Sequence, residues 1–302
     1  MMRYAPVVVF AYKRKDKLQE CLKALEKNIL VGETDLIIFC DGKKGTEDEE
    51  DVNNVKEYLL DYKRHCKFKG IRVEVRKKNI GLANSIISGV TEVINMYGKV
   101  IVVEDDLITT PDFLEYMNDA LNFYENSKEY GSISAFTYPI KGLLRYKKDI
   151  YVTRKGECWG WGTWKDRWNA VDWDIKDYEQ YLIDKKLRKK FESLQCGIDK
   201  MLQKQMNGEI DSWAVRWCYN LFKMNMLTVY PSISKVKNMG FDGTGTHCEK
   251  KKELHMEVLD DNNKICKFER LSVSEVLEKQ VAVYERGTVI ERIMYILQEW
   301  MR

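Results

Sequence analysis

No two cysteines of this 302-residue chain stand in a C-x-x-C pair; all eight (Cys21, Cys40, Cys66, Cys158, Cys196, Cys218, Cys248, Cys266) are scattered. That excludes a zinc ribbon and a redox dithiol. No apolar run approaches the roughly 20 residues of a membrane span, and the first residues carry no leader-like pattern, so reduced thiols in a cytosolic compartment are expected. A charge excess is missing too. Fifty basic against 47 acidic residues leave +3, too little to point to nucleic acid, and the short basic runs at Lys185–Lys190 and Lys250–Lys252 read as solvated faces. Internal repeats and low-complexity linkers are absent. What remains, 44% hydrophobic and 32% charged, is the composition of a globular protein with ample material for a core.

The first third alternates between two periodicities. PVVVFA (Pro6–Ala11), DLIIFCDG (Asp35–Gly42), IRVEVRK (Ile71–Lys77) and KVIVVEDD (Lys99–Asp106) read as strands. Between them lie helical segments: Asp16–Lys27, with Leu18, Cys21, Leu22 and Leu25 on one face and Asp16 as N-cap; about Glu47 to His65, where acids suit a helix N-terminus; and Leu82–Tyr97. Strand–helix repetition at this spacing implies parallel βαβ units with right-handed crossovers. Beyond Thr109 the texture changes. A helix opens at Pro111-Asp112, followed by GSISAFTYP, the Trp-dense ECWGWGTWKDRW (Glu157–Trp168), a polar helical stretch from about Asp177 to Asn207, a helix from about Asp211 to Asn225, a strand around Thr228–Val236, and the glycine-rich NMGFDGTGTHC (Asn238–Cys248). A charged tail ends in an amphipathic helix carrying Val289, Ile293, Ile296, Leu297 and Trp300, which packs on the protein or on a second copy, or touches a membrane surface.

The chemistry concentrates where strands end. KVIVVEDD is a β-branched run stopped by three carboxylates, Glu104, Asp105 and Asp106. Buried parallel strands have such continuous runs, and ligands in open α/β sheets bind beyond their carboxyl ends. Three adjacent acids repel one another unless a cation shares their field, and hard oxygen donors suit Mn²⁺ or Mg²⁺ held by one or two carboxylates plus substrate phosphates. Arg14 follows the first strand, Asp41 ends the second, and Asn79-x-Gly81 opens the third helix. Singly these are a surface arginine, a turn and a cap; together at successive strand ends they form a nucleotide-shaped constellation. Asp211 in EIDSWAVRW either caps its helix or serves as a general base. The tryptophans, Trp159 and Trp161 among them, pack a core or offer flat faces to sugar rings. The loop ending in Thr246-His247 can fold over a metal-bound diphosphate.

At these residues the chain resembles the GT-A glycosyltransferases, both the bacterial family 2-type sugar transferases and N-acetylglucosaminyltransferase I. VVVFAYKR is similar to the first strand with its arginine, FCDG to the second-strand end, IVVEDDLITTPDFLEYM to the segment with the E-D-D form of the D-x-D metal motif, and DSWAVRW and YPSISKVKNMGFDGTGTH to the catalytic and loop segments. The likeness spans roughly residues 4 to 248, and E-D-D with its downstream P-D-F is its most specific part. It implies a Rossmann-like mixed sheet flanked by helices, with an acceptor-side region and a helical tail: a nucleotide-sugar-binding half at 1–108, an acceptor-binding and catalytic half at 109–250, and a tail at 251–302. It further implies Asp106 as metal ligand, with His247 beside it. Glu104 and Asp105 face the donor sugar and ribose, Asp41 reads the base, Arg14 meets a phosphate, and Asn79, Gly81, Thr246 and His247 complete the donor site. Trp159, Trp161 and Trp213 line the acceptor side. The family's two adjacent acids before the tryptophan are here Asp211-Ser212, so the carboxylate is displaced by one position; Asp211 stands as base, with Glu209 in reserve.

The expectation is therefore a metal-dependent, inverting glycosyltransferase moving a sugar from a nucleotide-diphosphate sugar to a glycan or lipid-linked saccharide acceptor. Family analogy places it in the cytoplasm, at the inner face of a bacterial membrane, as a monomer or homodimer. Two rivals stand beside it. A sugar nucleotidyltransferase would carry a glycine-rich phosphate loop directly after the first strand, where AYKRKDK has no glycine; a non-catalytic carbohydrate-binding protein would use the tryptophans without metal or nucleotide.

Overall fold

The computed structural model describes residues 4–240 and 265–284. The first four strands are β1 (Val7–Ala11), β2 (Asp35–Cys40), β3 (Gly70–Val75) and β4 (Lys99–Glu104), linked by helices α1 (Lys15–Leu25), α2 (Glu49–His65) and α3 (Leu82–Tyr97). All pair in parallel, β1 between β2 and β4 with β3 outside β2. Their apolar runs are continuous because both faces are covered. Val7, Val9, Ile101 and Val103 pack toward α1, while Val8, Phe10, Val100 and Val102 pack toward α3. Asp16 does not cap α1: the cap position is Arg14, and Asp16 lies in the first turn, where its charge still suits the helix dipole.

Past β4 the chain makes the short strand β5 (Leu107–Thr109), helix α4 (Phe113–Tyr124) with Asp112 at its cap position, and β6 (Tyr130–Ser134), β7 (Ile150–Thr153) and β8 (Trp161–Trp164). The polar stretch that reads as one helix is three: α6 (Tyr178–Ile183), α7 (Lys185–Glu192) and α8 (Ile198–Met206), preceded by the short α5 (Lys165–Asn169). It breaks where Asp184 turns to cap α7, accepting from Lys186 and Leu187 N–H at 3.0 and 2.9 Å, and where Gly197 adopts φ +82°. Helix α9 (Trp213–Lys223), strands β9 (Leu227–Pro231) and β10 (Val236–Asn238), and α10 (Glu275–Tyr284) complete the described elements.

Eight strands form one sheet in the order β3-β2-β1-β4-β8-β6-β9-β7, so the mixed α/β sheet flanked by helices that the sequence implies is present. β8 enters antiparallel beside β4, and β6 and β9 run parallel to each other. A separate two-stranded sheet pairs β10 with β5, Asn238 opposite Leu107; it carries the chain back over the end of β4. The calls on Thr246, His247 and the amphipathic tail from Val289 onward lie outside the described residues. Among the described residues no helix is long and apolar enough to cross a membrane.

Candidate active site

The carboxyl ends of β1, β2 and β4 share one edge of the sheet, because parallel strands present the same end to the same side. Two clusters of the expected residues form there. In the first, the turn after β4 places Asp105 and Asp106 almost wholly out of solvent, at 4% and 5% exposure. Arg14 reaches over from the end of β1, putting one guanidinium nitrogen on Asp105 and the other 2.9 Å from Asp106 Oδ2. β10 closes over them: Met239 N–H donates to the Asp106 carbonyl at 2.8 Å, and Lys17 Nζ donates to the Met239 carbonyl at 2.9 Å. Gly240 lies so close to Asp106 Oδ2 that a Cβ there would collide with the carboxylate.

Burial governs the protonation of these acids. It pushes Glu104 up to about 8, helped by the charges of Asp106 and Asp105. Asp105 rises to about 6, again through burial, with the Arg14 charge pulling the other way. Arg14 loses solvation, but the two aspartates outweigh that and hold it more firmly charged. Glu104 shares a strand face with Val102, toward the tryptophan layer and Cys158, whose thiol is raised first by burial and then by Glu157 and Glu104.

The second cluster is built on Asp41. Its carboxylate accepts from Ile80 N–H at 3.1 and 3.2 Å and from Gly42 N–H at 3.1 Å; burial nevertheless raises its pKa against those bonds. Asn79 braces the same loop, donating to the Gly42 carbonyl at 3.0 Å and accepting from Gly81 N–H at 3.0 Å. Gly81 then sits at φ +81°, ψ 157°, a region essentially closed to residues with a Cβ. A Cβ there would stand 3.0 Å from Asp211 Oδ2. Asp211 thus joins this cluster from the start of α9. It is not spent on capping, because Ser212 Oγ accepts from Val215 N–H at 3.4 Å instead. Its side chain is half exposed, with Arg216 3.9 Å away. Glu209 is exposed and accepts from Asn207 at 3.1 Å.

The acceptor-side expectation is corrected for two tryptophans. Trp161 is fully buried and Trp213 is 3% exposed; their rings stack 5.1 Å apart, and Trp161 also meets Trp168 and Trp217 at 5.6 Å each. These indole faces cover one another and the sheet, leaving none for a sugar ring. Trp159, half-buried, stands edge-on to Phe136 at 4.7 Å.

Sequence reasoning passed over Glu157 and Lys155. They form a buried ion pair at 3.1 Å, with Tyr138 O–H donating to Glu157 at 2.6 Å and Cys158 N–H donating to it at 2.9 Å. A second buried pair, Lys235 with Asp112 at 2.6 Å, ties β10 to α4. The signal was a Lys-Gly-Glu triplet between the apolar Ile150–Val152 and the Trp-dense segment, which reads equally as a solvated turn.

No group of three or more His, Cys, Asp or Glu side chains among the described residues could cage a metal. The donor set nonetheless fits an ion held by one carboxylate and a ligand's phosphates, since Asp106 Oδ1 is buried without a hydrogen-bond partner among the described residues, a costly state for a carboxylate oxygen.

The model of the GNT-I family matches residues 1–203, two thirds of the chain. The chain belongs to the GNT-I family of glycosyltransferases. Members of the GNT-I family are typically dependent on a divalent metal. No curated protein matches the chain. Among solved structures, the crystal structure of S. aureus TarS aligns at 16% identity over 44% of this chain and 21% of that one, with a TM-score of 0.33. The crystal structure of S. aureus TarS 1–349 aligns at 13% identity over 59% and 49%, with a TM-score of 0.39. The chain thus spans about a fifth and a half of those two chains, and similarity of this size carries no argument here. The GNT-I match includes Arg14, Asp41, Asn79, Gly81 and the Glu104–Asp106 acids and ends before Asp211.

Proposed function

We propose that this member of the GNT-I family is a metal-dependent, inverting glycosyltransferase that moves a sugar from a nucleotide-diphosphate sugar to a glycan or lipid-linked saccharide. The observation that carries the reading is Asp106 Oδ1, a buried carboxylate oxygen without a hydrogen-bond partner among the described residues, at the carboxyl end of a central parallel strand, where a nucleotide diphosphate would lie. When bound, Mn²⁺ or Mg²⁺ supplies positive charge that neutralises the leaving diphosphate. Asp106 is its protein ligand in this reading, with His247 as a second.

The chain's own residues do the rest. Arg14 meets a donor phosphate by turning from the aspartates. Asp41 and Asn79 hold the loop before α3 and present its backbone to the nucleotide, Asp41 facing the base. Glu104 and Asp105 face the donor sugar and ribose. Asp211, half exposed and free of helix capping, takes the proton from the acceptor hydroxyl as it attacks the anomeric carbon. Residues 1–108 form the donor half and 109–250 the acceptor half, with Trp159 the remaining aromatic candidate on the acceptor side. A growing bacterial surface polysaccharide, extended at the cytoplasmic face of the membrane, is the acceptor class this reading favours.

Thermal shift with UDP, GDP and CDP, each with and without Mn²⁺, tests it: stabilisation by one diphosphate only when metal is present is expected. Stabilisation by a nucleoside triphosphate and sugar phosphate instead would indicate a nucleotidyltransferase; stabilisation by glycans alone, a binding protein. Asp211→Asn should lower turnover roughly 10²- to 10⁴-fold, the usual worth of a general base, while donor affinity stays within about twofold. An Asp211→Asn enzyme at full speed would remove that residue from the mechanism. The anomeric configuration of the product, read by NMR, decides inversion.

A further inference from the structure

We propose that Arg14 is the resident counter-cation of the Asp105–Asp106 pair and that it makes capture of the divalent ion depend on a diphosphate arriving with it. This rests on the donor-site reading above. The guanidinium bridges the two acids, one nitrogen to each, and so already supplies the charge that two buried adjacent carboxylates require. Asp106 is thereby left asymmetric. Its Oδ2 faces Arg14 on one side and the backbone of Gly240 on another, while its Oδ1 has no hydrogen-bond partner among the described residues.

An ion approaching alone would meet a single carboxylate oxygen with a fixed positive charge on the other oxygen of the same group. At a separation of a few ångströms in a site this buried, that repulsion is large. A diphosphate changes the balance because its oxygens can serve both cations, the metal ion and a planar guanidinium that binds phosphate in bidentate fashion. The move asks little of the fold. The Arg14 carbonyl is held by Leu18 N–H at 3.0 Å as the first bond of α1, so only the side chain, about one-fifth exposed, needs to turn. Arg14 thus sets the order of assembly: ion and diphosphate enter together, and free metal is kept out of the acid pair.

The test is binding of Mn²⁺ alone, followed by electron paramagnetic resonance on nucleotide-free protein, with folding checked by circular dichroism. Arg14→Met should bind Mn²⁺ at least about tenfold more tightly than wild type, the direction and scale expected when a unit charge leaves the neighbourhood of the ion. Arg14→Gln, which keeps an N–H donor toward Asp105 without the charge, should show the same gain and serves if Arg14→Met does not fold. Adding inorganic pyrophosphate should raise Mn²⁺ retention by wild type much more than by either variant. If both variants bind Mn²⁺ no more tightly than wild type, while Asp106→Asn still abolishes Mn²⁺-dependent binding of UDP and GDP, the proposal is overturned and the donor site stands. If Mn²⁺ binding is indifferent to Asp106→Asn in every background, both fall.

Discussion

Gly81 shows how much one residue can carry. Its positive φ lets the chain turn from the loop braced by Asp41 and Asn79 into α3, and its missing side chain leaves room for Asp211. Gly81→Ala should therefore act twice: a loss of about 1–3 kcal/mol from backbone strain, measured by urea denaturation, and a displaced Asp211 that lowers turnover beyond what the stability change explains. Equal activity at matched folded fraction would separate Asp211 from this glycine. Trp161 illustrates the opposite case. A residue placed in the sequence as a sugar platform is buried among other indoles, so Trp161→Ala should lose about 3–5 kcal/mol as large core truncations do. A stable Trp161→Ala protein with only a raised acceptor KM would restore the sugar-contact reading.

At the scale of elements, the informative features are the joins. Helix α9 begins on Ser212, which releases the neighbouring carboxylate from structural duty. Ser212→Ala should cost on the order of 1 kcal/mol in thermal unfolding while leaving Asp211 chemically intact, so kcat at a permissive temperature should fall far less than in Asp211→Asn. The strand pair β5–β10 returns the chain over Asp106 and fastens it through Met239 and Lys17. β1, β2 and β4 were legible because strands covered on both faces must be apolar throughout. β7 and β8, four residues each, were not, since their partners lie far along the chain and short aromatic stretches have no diagnostic period. The helical stretch after Asp177 was legible as helix but not as three helices, because the breaks at Asp184 and Gly197 are single residues.

For the whole molecule, the acid edge makes stability depend on pH and on cations. Glu104, near 8, and Asp105, near 6, hold protons in the folded state that an unfolded chain would have released at ordinary carboxylate values. The folded form therefore binds more protons across that interval, and stability must fall as pH rises. In chelator-treated protein the melting temperature should decline from about pH 5 toward pH 8. Mn²⁺ with a matching nucleoside diphosphate should flatten that decline by favouring the ionised acids. A melting temperature that rises across the same range without ligand would show that these carboxyls are ionised throughout.

The amino-acid sequence alone determined the βαβ alternation, the acids at the end of the fourth strand and the kinship they imply, because these follow from local periodicity and from residues adjacent in the chain. Only the tertiary structure decided which partners those residues have. It set Arg14 across both aspartates, tied Asp41 to the backbone N–H of Ile80, brought Asp211 beside Gly81, and buried Trp161 and the Lys155–Glu157 pair. Burial and pairing are properties of segments far apart in the chain, so a charged or aromatic residue looks the same in sequence whether it meets solvent, a ligand or another buried side chain.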